Sequence, residues 1–225
     1  MKAIWGVTTA LLVGVGGCAS KSTIPDVTED GLTRVDIRGV DAAYRRPGAD
    51  LNKYRKVMLD PVQVAFDPDW DPKRTGSNLK LSAEDRERIR RELGELFMQV
   101  FSEELTKDGG APLVTIAGPD VLRLSTGLAD VYVNAPDTME PGRSRTYVMS
   151  AGHATLVAEI RDSESGAILG RLFDQRETSN TGMLQWSGSV MNSADARRLF
   201  TRWAQLLRQR FDAVRNAPEP AAEPS

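Results

Sequence analysis

The sequence predicts an α+β protein, a two-layer sandwich in which an antiparallel or mixed sheet carries two long helices on one face. Two stretches with apolar residues at steps of three and four predict the helices. Other stretches alternate between apolar and polar residues, which is typical of strands. The order along the chain is β-α-β-β-β-α, and a short turn between two of the strands favours hairpin neighbours.

The chain begins with the features of an export signal. A charged start, Met1-Lys2, precedes an apolar run from Ala3 to Gly17 that ends in small residues. This run is shorter than the roughly 20 apolar residues that cross a membrane. Val15-Gly16-Gly17-Cys18 resembles the bacterial lipobox, in which cleavage leaves the cysteine as the first residue and its thiol carries diacylglycerol. We predict a signal peptide over residues 1–17 and lipidation of Cys18, with an ordinary secretory signal as the alternative.

The residues after the predicted anchor indicate a location. Ala19 and Ser20 resemble the outer-membrane default of lipoproteins, whereas an aspartate beside the cysteine is typical of inner-membrane retention. We therefore expect a protein held by its lipid at the periplasmic face of the outer membrane. The lipid on Cys18 is the only attached group expected, and no cofactor is predicted. Two or more acyl chains anchor a protein firmly.

Composition divides the rest of the chain into a tether, one domain and a tail. Residues 18–36 are poor in large apolar side chains and predict a flexible tether. Residues 37–214 form the single predicted domain, and the proline-rich residues 215–225 predict a disordered tail. The chain of 225 residues has 29 basic and 31 acidic residues, interspersed along it. This balance does not indicate a nucleic-acid partner.

The first strand and the first helix carry local signals. Apolar residues alternate from Tyr54 to Phe66, but their parity changes after Asp60-Pro61. Because proline cannot donate to a ladder, we expect a bulge or a sheet edge there. The first helix begins at Ser82, where Ser82-Ala-Glu-Asp85 resembles a capping box. Gly109-Gly110 ends it.

The later elements follow the same logic. A strand is predicted over Val121 to Val133, and a hairpin over Gly152 to Thr178 turns at Asp162-Ser-Glu-Ser-Gly166. The second helix begins at Asn192 or Ser193 and carries one apolar stripe. Both helical stripes are wide enough to be core faces.

No residue pattern indicates catalysis or a metal site. His153 is the one histidine, and its strand position predicts a sheet-face or hydrogen-bonded core residue. Glu159 and Asp174 are isolated strand carboxylates, which we expect to be solvated. The segment Asp67-Pro-Asp-Trp-Asp-Pro72 begins like a calcium loop, but Pro72 and Asn78 replace its glycine and glutamate. A solvated turn is the simpler interpretation.

Apolar residues in loops are the candidate contact residues for a partner. Trp70, Met183, Leu184 and Trp186 lie in predicted turns or loops among small and polar residues. Such residues either fold back over the core or form a binding surface, and tryptophan is favoured at binding hot spots.

Three motifs together resemble one family. The lipobox, Tyr44-Arg-Arg-Pro-Gly-Ala-Asp-Leu51 and Tyr54-Arg-Lys-Val-Met-Leu-Asp-Pro-Val62 resemble an uncharacterised family of Gram-negative lipoproteins, a domain of unknown function. The resemblance implies an exported lipoprotein and brings no catalytic residues. We therefore expect a non-enzymatic envelope lipoprotein that binds another envelope protein or a glycan. The alternative is a carrier of a small molecule or lipid, with an apolar cavity between sheet and helices.

Overall fold

A computed structural model describes residues 24–70, 81–132, 147–148, 153–177, 185–186 and 189–216 of the chain. Its strands are β1 (Thr33–Val35), β2 (Ala42–Arg45), β3 (Lys56–Leu59), β4 (Gln63–Phe66), β5 (Val121–Tyr132), β6 (Tyr147–Val148), β7 (His153–Asp162), β8 (Ile168–Glu177) and β9 (Gln185–Trp186). Its long helices are α1 (Ala83–Thr106) and α2 (Ser189–Arg215). Seven strands form one sheet in the order β1-β2-β8-β7-β5-β3, with β4 also paired to β5, and β6 pairs with β9. Among the helices described, none is long and apolar enough to cross a membrane.

The sheet is mixed, and its parallel part lies at one edge. Both β3 and β4 pair with β5 in parallel, whereas the other strand pairs are antiparallel. Leu59 lies opposite Leu124, and Gln63 lies opposite Gly127. The edge chain from β3 to β4 therefore advances by four residues where β5 advances by three. The extra residue falls at the predicted Asp60-Pro61 break. The break is thus both a bulge and an edge, which explains the change of apolar parity.

The first helix begins as the sequence predicts. The Ser82 hydroxyl accepts a hydrogen bond from the Asp85 amide at 3.1 Å, and the Asp85 carboxylate accepts one from the Ser82 amide at 3.3 Å. This reciprocal pair confirms the capping box. A short 3-10 turn, Lys107–Gly109, follows the helix, and Gly109 adopts a φ of 74° that favours glycine. The second helix begins at Ser189, a few residues before the predicted start.

Both helices cover the same face of the sheet, which confirms the two-layer α+β sandwich. On β5 and β7 the even-numbered residues are mostly buried and pack with the helices, whereas most odd-numbered ones lie on the uncovered face. Phe97 stacks on Phe101 with ring centroids 3.9 Å apart and meets Phe200 of α2 edge-on at 5.2 Å. The core therefore lies between the sheet and the two helices.

A carboxylate lies inside this core. Asp174 is 1% exposed and lies opposite Leu156 on the covered face of β8. It accepts a hydrogen bond at 2.7 Å from Trp203 Nε1 of α2 and two at 2.7 Å from Arg176. The prediction that Asp174 is solvated is therefore wrong. The register of the hairpin turns this residue inward, and a charge placed there needs partners.

The N-terminal part of the described chain packs on the sheet. Leu32 is fully buried against Ala42 and Tyr44, and the Tyr44 hydroxyl donates to the Pro25 carbonyl at 3.0 Å. Residues Thr33–Val35 form β1. The tether predicted over residues 18–36 is therefore wrong from residue 24 onward, because one buried leucine and one edge strand fix this segment.

Replacing Trp203 by phenylalanine tests the Asp174 contact. The variant keeps an aromatic ring but leaves a buried carboxylate oxygen without one donor, so we expect a loss of about 1–3 kcal/mol in the free energy of unfolding. Urea unfolding of W203F, D174N and the double variant gives the interaction energy between Trp203 and Asp174. An interaction energy within about 0.3 kcal/mol of zero would contradict the contact.

Candidate functional site

An apolar pocket of about 480 Å³ lies between the sheet and the C-terminal half of α2. Its volume falls within the roughly 300–1,000 Å³ of small-molecule sites. Most of its lining is aliphatic or aromatic, and buried leucines at its base give way to exposed arginines at its rim.

Residues of six strands, β1, β2, β3, β5, β7 and β8, form the floor of the pocket. Leu124 of β5 and Ile160 of β7 lie opposite each other, so both side chains point towards the helices. The register of β7 and β8 shifts beside Ile160, and the extra residue is Leu169. The shift turns Leu169 inward, where it is 8% exposed. A bulge therefore supplies one apolar wall of the pocket.

Helix α2 forms the roof. Leu207, Phe211 and Val214 line the pocket from positions that differ by four and three residues, so they share one face of the helix. Leu207 is buried, whereas Phe211 and Val214 are partly exposed. The space under the helix thus becomes more accessible towards its C-terminal end.

A glycine at the wall of the pocket allows β2 and β8 to approach closely. A Cβ atom on Gly170 would lie 3.0 Å from the Tyr44 carbonyl oxygen, which is tighter than ordinary packing. Gly170 faces Arg45 in the sheet. The absence of a side chain at this position leaves the pocket wall open.

Among the described residues, the charged ones that line the pocket are both arginines. Arg45 and Arg210 are exposed at the rim, and Asn52 is a partly exposed polar residue of the lining. The Arg45 guanidinium donates one hydrogen bond, at 2.8 Å, to the Ala49 carbonyl. Within the described part of the chain, the Arg210 guanidinium has neither an ion-pair nor a hydrogen-bond partner.

A buried cluster beside the pocket holds one of its walls. Asp162 accepts hydrogen bonds from the Tyr54 hydroxyl at 2.7 Å, from Lys53 at 3.1 Å and from the Ser165 amide at 2.8 Å. Tyr54 is 2% exposed and packs with Leu122 and with other pocket residues. The cluster therefore joins the segment before β3 to the β7–β8 turn.

The cluster shifts the ionisation of both partners. Hydrogen bonds from the Ser165 amide, then from Tyr54, hold the pKa of Asp162 well below its usual range. Burial, followed by the hydrogen bond to Asp162, raises the pKa of Tyr54 to about 12. At neutral pH the pair is therefore a carboxylate that accepts from a neutral phenol.

One of the predicted partner contacts, Trp70, lies in the described part of the chain, and it is buried. Trp70 is 2% exposed, stacks on Phe66 with centroids 4.0 Å apart and packs with Leu81 and Ile89. Its interpretation as a contact residue is wrong, because the turn after β4 folds it back onto α1. The following residues lie outside the described part or have no described side chain: Cys18, Met183, Leu184 and Trp186.

The other polar candidates lie on the uncovered face. His153 Nε2 lies 3.3 Å from the Asp67 carboxylate, and its ring stacks on Tyr132 at 5.2 Å. Glu159 accepts hydrogen bonds from Arg161 and Arg171. In the described residues no three histidine, cysteine or acidic side chains form a group that could hold a metal.

The sequence pattern placed several pocket residues in the core, and an apolar cavity between sheet and helices was the alternative hypothesis, but the pattern did not indicate which residues line it. Leu207, Phe211 and Val214 belong to the predicted stripe of α2, and the strand residues of the floor belong to predicted strands. The sequence pattern did not indicate a role for Arg210. The one signal that could have drawn attention to the rim is Arg45, which lies in the Tyr44–Leu51 motif.

The chain belongs to a family described as a protein of unknown function, DUF3313, whose model matches residues 27–207. The match includes every described strand and most of α2, and it therefore includes the greater part of the pocket. No curated protein matches the chain.

Solved structures with similar folds come from several bacteria. The PelC dodecamer from Paraburkholderia phytofirmans is 12% identical with a TM-score of 0.38, and the match covers 74% of this chain and 96% of that one. Protein XCC0632 from Xanthomonas campestris, of the family DUF330, is 12% identical with a TM-score of 0.38, covering 75% and 93%. A putative neuraminyllactose-binding hemagglutinin homolog from Helicobacter pylori is 13% identical with a TM-score of 0.30, covering 82% and 90%. At these values the similarities carry no argument about function.

Replacing Asp162 by asparagine tests the cluster beside the pocket. Because the pKa of Asp162 is lower in the folded protein, its contribution is complete above the unfolded pKa of about 3.9 and is lost as the pH falls further. We expect D162N to lower the free energy of unfolding by about 2 kcal/mol at pH 7. Urea unfolding between pH 3 and pH 7 should show the difference shrinking at the acidic end. A difference that is constant across this range would contradict the assignment.

Proposed function

We propose that the protein is a non-enzymatic binding protein that takes the apolar part of a small amphiphile into the pocket under α2. The pocket itself is the observation that carries this proposal. Its volume of about 480 Å³ suits a small ligand, and its buried base is aliphatic. Moving apolar surface from water into such a site contributes about 25 cal/mol per Å².

The polar groups of the pocket favour binding over catalysis. Arg45, Asn52 and Arg210 supply the donors at or near the rim. Guanidinium and amide groups hold a ligand in place, whereas nucleophilic and general acid–base chemistry uses other side chains. This composition supports the carrier that the sequence offered as its second hypothesis.

The same proposal includes an envelope location and a lipid anchor on Cys18. The lipobox residues support it. The first described attachment of the chain to the sheet is at Pro25, whose carbonyl accepts from the Tyr44 hydroxyl. Only residues 19–23 would then link the lipid to the domain. A fully extended chain of five residues spans at most roughly 18 Å, so the domain would lie close to the membrane surface at the outer-membrane periplasmic face.

Binding of another envelope protein or a glycan stays a prediction of the sequence. Its remaining contact residues are Met183, Leu184 and Trp186, which the structure does not describe in side-chain detail. The pocket is built from other elements, so the two functions would use different residues.

Filling the pocket tests the binding function. In V214W the larger side chain occupies the space under the end of α2, and we expect the affinity for N-phenylnaphthylamine to fall at least tenfold. Fluorescence titration of full-length protein carrying C18A measures this. The matched control is I116W, because Ile116 is 79% exposed and lies outside the pocket. Failure of the parent protein to bind the dye, or equal binding by V214W and the parent, would contradict the proposal.

Replacing Cys18 by serine tests the anchor. A hydroxyl does not take the place of the lipidated thiol, so labelled palmitate should appear on the parent protein and be absent from C18S. The C18S protein should also leave the membrane fraction. Equal labelling of both proteins, or no label on either, would contradict the anchor.

A further inference from the structure

We propose that the ligand of the pocket carries an anionic head, a carboxylate or a phosphate, which Arg45 and Arg210 bind at the rim. This inference rests on the proposed binding function and adds the chemical class of the ligand. It concerns the charged residues at the entrance, whereas the binding function rests on the apolar interior.

The charge of the lining is the first observation. Among the residues that the structure describes, the charged lining residues are Arg45 and Arg210, and neither aspartate nor glutamate lines the pocket. The chain as a whole has slightly more acidic than basic residues. The local excess of positive charge therefore differs from the average surface and complements an anion.

The second observation is that the Arg210 guanidinium has no ion-pair or hydrogen-bond partner among the described residues. Its neighbours on α2 are engaged: Arg208 donates to Asp212 at 2.5 Å, and Arg215 donates to the Gly109 and Gly110 carbonyls at 3.2 Å. Arg210 makes no such contact within the described chain. Its donors are therefore available to a ligand.

Asp212, the acidic residue of α2 that is nearest to Arg210 along the chain, does not cancel this charge. Asp212 lies two residues after Arg210 but is paired with Arg208 at 2.5 Å and with Arg215 at 3.1 Å. Two cations thus neutralise one carboxylate, and the end of α2 stays basic. Cations at the end of a helix also oppose the partial negative charge of its last carbonyls.

Arg45 completes the rim from the sheet side. It lies opposite Gly170 on the covered face, so its aliphatic stem lies along the pocket while its head is exposed. One of its nitrogens donates to the Ala49 carbonyl, and the other donors remain. Guanidinium groups bind carboxylates and phosphates through paired hydrogen bonds.

Four dodecyl compounds that differ in their heads test the inference. Calorimetric titration of full-length C18A protein would use dodecanoate, dodecyl phosphate, dodecanol and dodecyltrimethylammonium. We expect each anion to bind roughly fivefold or more tightly than dodecanol, and the cation to bind most weakly. In R45Q/R210Q the affinities for both anions should fall to about that for dodecanol, so that the preference for an anionic head is lost. The comparison of dodecanoate with dodecyl phosphate distinguishes a fatty acid from a phospholipid head.

The matched control is R202Q. Arg202 is an exposed arginine of the same helix that does not line the pocket, so this variant should keep the preference. Equal affinities for the anions and dodecanol, or an equal loss in R202Q and R45Q/R210Q, would overturn the inference while leaving the binding function intact. Failure of dodecanol and all other probes to bind would instead overturn the proposed function.

Discussion

A carboxylate buried between sheet and helix fixes where α2 lies. Asp174 needs partners in the core, because an unpaired buried charge costs several kcal/mol. Arg176 supplies two hydrogen bonds from the same strand, and Trp203 supplies one from α2. Since the indole reaches Asp174 from only a narrow range of helix positions, this contact sets the height and rotation of α2 over the sheet. The end of the helix is held separately: Arg208 donates to the Glu104 carbonyl in the last turn of α1, and Arg215 donates to the Gly110 carbonyl that follows α1. The pocket is the space that remains between these two attachments.

Irregularities of the sheet shape the other side of this space. The shift beside Ile160 turns Leu169 inward, and Gly170 next to it lets β2 and β8 come close. The Asp162 cluster then holds Tyr54 against Leu122 at the same corner. Bulges of this kind redirect side chains that a regular strand would place elsewhere. The walls of the pocket thus depend on departures from regular pairing, whereas the layers themselves depend on regular periodicity.

The difference between regular layers and irregular pocket walls explains what could be predicted from the sequence. The two helices, the capping box at Ser82 and the break at Asp60-Pro61 follow from local patterns, and the structure confirms them. The burial of Asp174 could not be predicted in the same way. Which face of the sheet its side chain occupies depends on the register of the β7–β8 hairpin and not on the residues next to it in the sequence. The prediction that Trp70 is an exposed contact residue also failed because of a tertiary contact. The turn after β4 packs it onto α1, which follows later in the chain.

The lining of the pocket is still harder to predict from the sequence. Each lining residue fits a core or surface position, but a cavity arises only where side chains from distant elements fail to fill the space between them. The early part of the chain shows the same dependence on tertiary contacts. The composition of this segment is typical of a tether. However, its Leu32 is buried against the sheet, and its Pro25 carbonyl accepts a hydrogen bond from the Tyr44 hydroxyl.

The most direct test of the account is the crystal structure of the protein with a bromine-labelled dodecanoate. Anomalous scattering should place the bromine at the base of the pocket, near Leu124 and Ile160, with the carboxylate between Arg45 and Arg210. A bromine bound elsewhere on the protein, or side chains that fill the space under α2 and leave no room for the chain, would contradict the account.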